Sequence, residues 1–194
     1  MKTIVLASNN KHKVAEYQKI LNDYKLITLN ELNYLEDIEE TGEKFEENAL
    51  IKASTIHEFL KENNKDYIVL AEDSGLCIDA LNGAPGVYSA RYSGVHGDSA
   101  ANRARVLKEL EGVSDRSAYF TCTIILYFPN GEYKTYVGKT SGTITHEERG
   151  KTDFGYDSIF LSSDLGITFG EASEEEKNSV SHRRRAINEM LKDL

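Results

Sequence analysis

The sequence predicts an α/β fold, and three observations carry the prediction. The chain opens as strand, polar turn and amphipathic helix. A continuous apolar run, Tyr67 to Ala71, follows a long helical pattern, and a strand-rich stretch with Asn-Gly at its turn precedes a helical C-terminus. Strand patterns interleaved with helical ones are the mark of helices packed on a sheet.

Lys2 to Ala7 reads as a buried first strand. The apolar stretch at the N-terminus is too short and too soon interrupted by polar residues for a signal peptide. In Lys11 to Leu21, the residues Val14, Tyr17 and Leu21 recur at the spacing of an amphipathic helix. A second short strand, about Lys25 to Leu29, leads into a loop rich in Asn, Asp and Glu that ends at Glu39-Glu40-Thr41-Gly42. In the long helix that follows, Phe45, Ala49, Ala53, Ile56 and Leu60 keep one face. Glu43, Glu46 and Glu47 crowd its first turns, where negative charge complements the helix dipole.

Tyr67 to Ala71 then reads as a central strand whose carboxyl end delivers Glu72, Asp73 and Ser74. That end is where open α/β sheets place their chemistry. Asn82 to Gly86 is loop, and Ser99 to Leu110 is a helix with Ser99 as its cap. Ser117 to Phe128 and Glu132 to Val137 flank Pro129-Asn130-Gly131 as a hairpin. The last helix has Ala186, Ile187, Met190, Leu191 and Leu194 as its apolar side. No internal repeat or low-complexity linker interrupts the chain.

A length of 194 residues suits one domain, or two lobes sharing one sheet. Hydrophobic residues at 40% and charged residues at 28% are the balance of a soluble globular protein, and no apolar run approaches a bilayer span, so no membrane role is expected. Cys77 and Cys122 lie in apolar, strand-like surroundings without metal or redox spacing, as reduced core thiols of a cytoplasmic protein do. A net charge of −9 argues against broad nucleic-acid binding, which needs many phosphates meeting Lys and Arg. It leaves room for a mononucleotide held by a few cations and a metal.

Three groups of residues are suited to chemistry. The turn Ser8-Asn9-Asn10-Lys11-His12-Lys13 lies at a helix start, where backbone amides attract anions and Ser8, Asn10 and Lys13 add phosphate donors. Two readings stand there, an anion site and a helix cap with solvated lysines. The acidic residues Glu39, Glu40, Glu72 and Asp73 come from two elements and suit magnesium, which prefers oxygen ligands and keeps substrate phosphates among them. Solvated loop charge is the plainer reading for Glu39 and Glu40, whereas a carboxylate beside a buried strand, such as Asp73, needs a partner or a task. In Asp153-Phe154-Gly155-Tyr156-Asp157, an aromatic beside glycine offers a flat face to a base, while Asp157, Lys177 and Arg183 suit base edges or phosphates. The plain alternatives are core aromatics and an exposed arginine run, Arg183 to Arg185. Nothing in the sequence pairs His182 with a Ser or Cys nucleophile.

Seven motifs occur together, in order. They are Ser-x-Asn-x-x-Lys at 8 to 13, Glu39 ahead of Thr41-Gly42, Glu-Asp-Ser-Gly-Leu at 72 to 76, Gly-Ala-Pro-Gly at 83 to 86, Ser89-Ala90-Arg91-Tyr92, Phe-Gly-Tyr-Asp at 154 to 157, and Glu-Lys-Asn-Ser-Val-Ser-His-Arg at 176 to 183. This set resembles the inosine triphosphate pyrophosphatase family, also called Ham1-like, over nearly the whole chain. The resemblance implies one pyrophosphatase domain, residues 1–194, with a long mixed central sheet, flanking helices in two lobes and a nucleotide cleft between them, as a homodimer. It implies hydrolysis of ITP, dITP and XTP to the monophosphate and pyrophosphate. By motif match, Ser8, Asn9, Asn10, Lys11, His12 and Lys13 hold the triphosphate. Asp73 is magnesium ligand and general base, with Glu39 as the second metal-side carboxylate. Ser74, Phe154, Gly155, Tyr156, Asp157, Lys177, His182 and Arg183 contact the nucleotide. Two features depart from the family pattern: Ser158 stands where bacterial relatives usually carry Pro, and Thr152-Asp153 replaces their usual glycine pair.

Rival readings are a Maf-like pyrophosphatase for other modified nucleotides, against which the Ser-His-Arg segment argues, and a nucleotide-binding sensor without turnover.

Overall fold

The computed structural model describes residues 2–194. Its elements are β1 (Thr3–Leu6), α1 (Lys11–Ile20), β2 (Lys25–Thr28), α2 (Phe45–Glu62), β3 (Ile68–Ile78), α3 (Ser99–Glu109), β4 (Ser117–Tyr127), β5 (Tyr133–Ile144), β6 (Phe160–Ser162), α4 (Glu174–Val180) and α5 (His182–Met190), with short 3-10 turns between. The six strands form one sheet in the order β2-β1-β3-β4-β5-β6. β1 runs parallel to both β2 and β3, and β5 antiparallel to β6, so the sheet is mixed, as the α/β prediction requires. Among the described residues no helix is long and apolar enough to cross a membrane.

The chain divides into two compact units, Met1–Asp73 with Thr123–Tyr136, and Ser74–Cys122 with Val137–Leu194. In the first, Ile4, Val5 and Leu6 of β1 are fully buried, as expected of a parallel strand covered on both faces. Ala49, Ala53, Ile56 and Leu60 of α2 form one core with Val5, Val69 and Ala71. Full burial of Ile56 and Leu60 is worth about 1.5–3 kcal/mol each. In the second unit, Val106 and Leu110 of α3 pack in a core with Leu76 and Ile78. There Phe120, Phe160 and Phe169 form an aromatic cluster with ring centroids 4.6 to 6.1 Å apart.

Four sequence expectations need correction. The central strand does not end at Ala71: β3 continues to Ile78, so Glu72, Asp73 and Ser74 lie in mid-strand, because apolar Leu76, Cys77 and Ile78 resume the buried run. α3 is capped by Asp98, whose carboxylate accepts the Ala101 N–H at 2.9 Å, and Ser99 is its first helical residue. β5 runs on past Val137 to Ile144; its inward positions beyond Tyr136 are Gly138, Thr140, Gly142 and Ile144, mostly too small or polar to register as a hydrophobic period. A side chain at Gly138 would meet the backbone of His182 at 2.1 Å, so helix and strand approach there as only glycine permits. The C-terminal helix is two helices, broken at Ser181, whose hydroxyl accepts the Arg184 N–H at 3.1 Å and caps α5. Ala186, Ile187 and Met190 are buried, but Leu191 is exposed and Leu194 lies beyond the helix.

Candidate active site

In the first unit the acidic pair of β3 meets residues of α1 and α2. The Glu72 side chain is fully buried, with Lys13 Nζ 2.8 Å from its Oε1 and Tyr17 Oη donating to its Oε2 at 2.7 Å. α1 brings both partners to it because residues four apart lie on one helix face. A buried carboxylate is tolerable only when paired and hydrogen-bonded, and Glu72 in turn fixes where the Lys13 ammonium sits. The helix start is capped as the plainer reading expects: Asn10 Oδ1 accepts the N–H groups of His12 at 3.0 Å and Lys13 at 3.2 Å. Asn10 N–H donates to Ser8 Oγ at 3.2 Å. Asn9, Asn10, Lys11 and His12 are exposed, Ser8 and Lys13 partly so.

Asp73 is buried, and its Oδ2 accepts from Asn48 Nδ2 at 3.1 Å. Asn48 Oδ1 accepts the Gly42 N–H at 2.7 Å, so one buried amide ties Asp73 to the loop after Glu39-Glu40. A side chain on Gly42 would come within 2.7 Å of that Oδ1, which explains glycine at the junction. One turn along α2 from Asn48, Lys52 pairs with Glu40 at 2.9 Å. Burial holds the Asp73 carboxyl above its ordinary range, Lys52 pulls it down, Glu40 pushes it up, and Asn48 and Lys13 lower it. Glu40, paired with Lys52, is one of the charges acting on Asp73, and its neighbour Glu39 is exposed. Among the described residues no group of three or more His, Cys, Asp and Glu is arranged to hold a metal by itself.

The second unit gathers the residues of the Phe154 segment. Phe154 is 43% exposed, with Lys177 Nζ 5.1 Å from its ring centre, whereas Tyr156 is buried and its hydroxyl donates to Ser89 O at 2.7 Å. The two aromatics thus divide: Tyr156 is core and Phe154 is surface. Gly155 sits between them at φ +55, a left-handed turn that glycine adopts without strain. Asp157 is buried 2.5 Å from Lys177 Nζ; burial drives its carboxyl above the ordinary range, and Lys177, then Arg183 and Arg103, oppose that rise. His182, the first residue of α5, stacks on Phe120 at 5.0 Å and 15°. Arg183 is half-buried, and Ser74 lies partly exposed in β3.

Sequence reasoning missed Asn48, Lys52 and Arg103. Each left a trace: Asn48 interrupts the apolar face of α2 between Phe45 and Ala49, Lys52 follows one turn later, and Arg103 sits where Val106 and Leu110 continue an apolar stripe. A polar residue inside such a stripe signals a buried partner.

Residues 4–193 match the model of the Ham1 family. The dITP/XTP pyrophosphatase of Clostridium perfringens is 46% identical over 198 residues, covering 100% of this chain and 97% of its own. That of Bacillus licheniformis is 47% identical over 194 residues, covering 98% and 96%. Among solved structures, the Staphylococcus aureus Ham1 protein superposes with a TM-score of 0.89 at 42% identity, over 97% of this chain and 96% of that one. A HAM1 protein from Coxiella burnetii gives 0.88 at 43%, over 98% and 96%. A family match over nearly every residue, full-length relatives above 40% identity and a shared fold together make this chain a member of the Ham1 family.

Proposed function

We propose that the chain hydrolyses the deaminated purine nucleotides ITP, dITP and XTP to the nucleoside monophosphate and pyrophosphate, removing them from the nucleotide pool. The relatives' activity toward dITP and XTP supports the substrate class. The observation that carries the mechanism is the buried, polar-tethered Asp73 beside a fixed lysine and a second carboxylate.

Asp73 takes a proton from water as the water oxygen bonds to the α-phosphorus; the bond from that phosphorus to the bridging oxygen breaks, and pyrophosphate leaves with the electron pair. Asn48 holds the Asp73 carboxylate in a fixed orientation, as a positioned general base needs. Lys13 faces the triphosphate, together with Ser8, Asn9, Asn10, Lys11, His12 and the amides of the α1 start. Charge on the phosphate oxygens grows during transfer, so a cation fixed by Glu72 favours the transition state. Phe154 stacks on the base, and Ser74, Gly155, Tyr156, Asp157, Lys177, His182 and Arg183 form its surroundings.

The donor set fits magnesium: Asp73 and the loop carboxylate Glu39 are the one or two protein carboxylates this ion takes when phosphates fill its other positions. Bound there, magnesium supplies charge neutralisation and polarisation of water. The same reading takes the protein to be a cytoplasmic homodimer; two buried free cysteines agree with a reducing compartment.

A substrate panel with separate detection of pyrophosphate and orthophosphate tests the proposal. Pyrophosphate release from ITP, abolished by EDTA and restored by magnesium, is expected. Tight ITP binding without turnover would make the chain a sensor, and preference for modified pyrimidine nucleotides would point to Maf-like chemistry.

A further inference from the structure

Arg103 is 3% exposed, a long cation buried on α3 between Asn102 and Val106. Its Nη1 donates to the carbonyls of Asp153 at 3.2 Å and Gly155 at 2.9 Å, and its Nη2 to Asp153 Oδ1 at 2.5 Å. Its Nε lies 3.1 Å from Glu148 Oε2, the same oxygen that accepts Ser158 Oγ at 3.0 Å. One guanidinium therefore grips the backbone on both sides of Phe154, and its carboxylate partners reach Asp153 before the ring and Ser158 beyond it. The planar fork explains arginine: lysine carries one point charge and cannot meet acceptors in these divergent directions. Nothing else about Asp153 calls for an acid, since its side chain is 84% exposed.

We propose that Arg103 is a positioning residue for the purine base, in which the Arg103–Asp153–Glu148–Ser158 network holds the exposed ring of Phe154 in the orientation that stacks on the nucleotide. The proposal rests on the reading of Phe154 as the base-stacking face. A pre-set ring spares the ordering cost of binding, so the network acts on substrate affinity rather than on the chemical step.

The test uses the full chain with ITP and magnesium, and the variants Arg103→Met, Asp153→Ala and Phe154→Ala. Arg103→Met and Asp153→Ala are expected to raise KM about 3- to 10-fold with kcat within about 2-fold of the parent. The chain has no tryptophan, so Phe154→Trp introduces a single indole at the loop. Its quenching by acrylamide should rise when Arg103→Met is added. If Arg103→Met does not fold, Asp153→Ala decides, because its carboxylate is exposed and its loss leaves the core intact. Phe154→Ala raising KM while the network variants leave it unchanged, or a loss confined to kcat, overturns the positioning role alone. An unchanged KM in Phe154→Ala overturns the stacking reading, and the role of Arg103 in base binding with it.

Discussion

Asn48 Nδ2 donates to Asp73 Oδ2 at 3.1 Å, and the same side chain accepts the Gly42 N–H at 2.7 Å through its Oδ1. One amide thus sets both the orientation of the carboxylate and the position of the loop that carries Glu40. Asn48→Ala leaves a partly buried N–H and a buried carboxylate without their partner. It should lower unfolding stability by about 1–3 kcal/mol, read from urea denaturation, and reduce turnover in the variant that remains folded. Unchanged stability and turnover would show that the bridge matters to neither.

Asp73→Asn should cut turnover by roughly two to four orders of magnitude while keeping most nucleotide affinity, the scale for loss of a positioned base. Its stability should move the other way. Burial raises the Asp73 carboxyl in the folded chain. The group's contribution is then fully present below its unfolded value of about 3.9 and is lost as pH rises through the folded one. With EDTA present, the variant should therefore gain on the parent as pH rises from the acid range toward neutrality, measured by thermal unfolding across pH. A difference that shrinks with rising pH contradicts the assignment.

Lys13→Ala removes a cation and leaves Glu72 buried without it, so both binding and stability should suffer, the latter by about 3–5 kcal/mol. Adding Glu72→Gln should restore much of the stability and none of the ITP affinity. Restored affinity in the double variant would separate Lys13 from the triphosphate.

The parts of the fold with strong periodicity were legible in the sequence. The apolar face of α2 and the buried run of β1 were read correctly because long-range packing there agrees with local pattern. β5 beyond Val137 was not, since its inward face is built from Gly138, Thr140 and Gly142 to admit the backbone of α5 and β6. The same division runs through the candidate site. Asp73 stood out as a carboxylate beside a hydrophobic run, but its partners Asn48 and Lys52 are distant in sequence and only folding brings them near. Arg103 interrupts the stripe that Val106 and Leu110 continue, but its partners are not legible, because its burial is a property of the Asp153–Gly155 turn.

Base choice follows from hydrogen-bond matching. ITP and XTP share a 6-oxo acceptor and a protonated N1, whereas ATP presents a 6-amino donor and an unprotonated N1. Stacking on Phe154 cannot discriminate, because every base has a π-face. Donors facing position six can, and Arg183 with the amides near Ser181 and His182 are the candidates. ATP should be disfavoured by up to about 10⁴-fold in kcat/KM, GTP by less, and Arg183→Ala should lose part of the preference for ITP over ATP. Equal efficiencies for ATP and ITP in the parent protein would remove the pool-cleansing role.

In the proposed reaction water attacks the α-phosphorus while Asp73 takes its proton. Hydrolysis of ITP in ¹⁸O-labelled water, with mass spectrometry of both products, reads the site of attack directly. One labelled oxygen is expected in the IMP phosphate and none in the pyrophosphate; label in the pyrophosphate, or formation of IDP and orthophosphate, would rule out attack at the α-phosphorus.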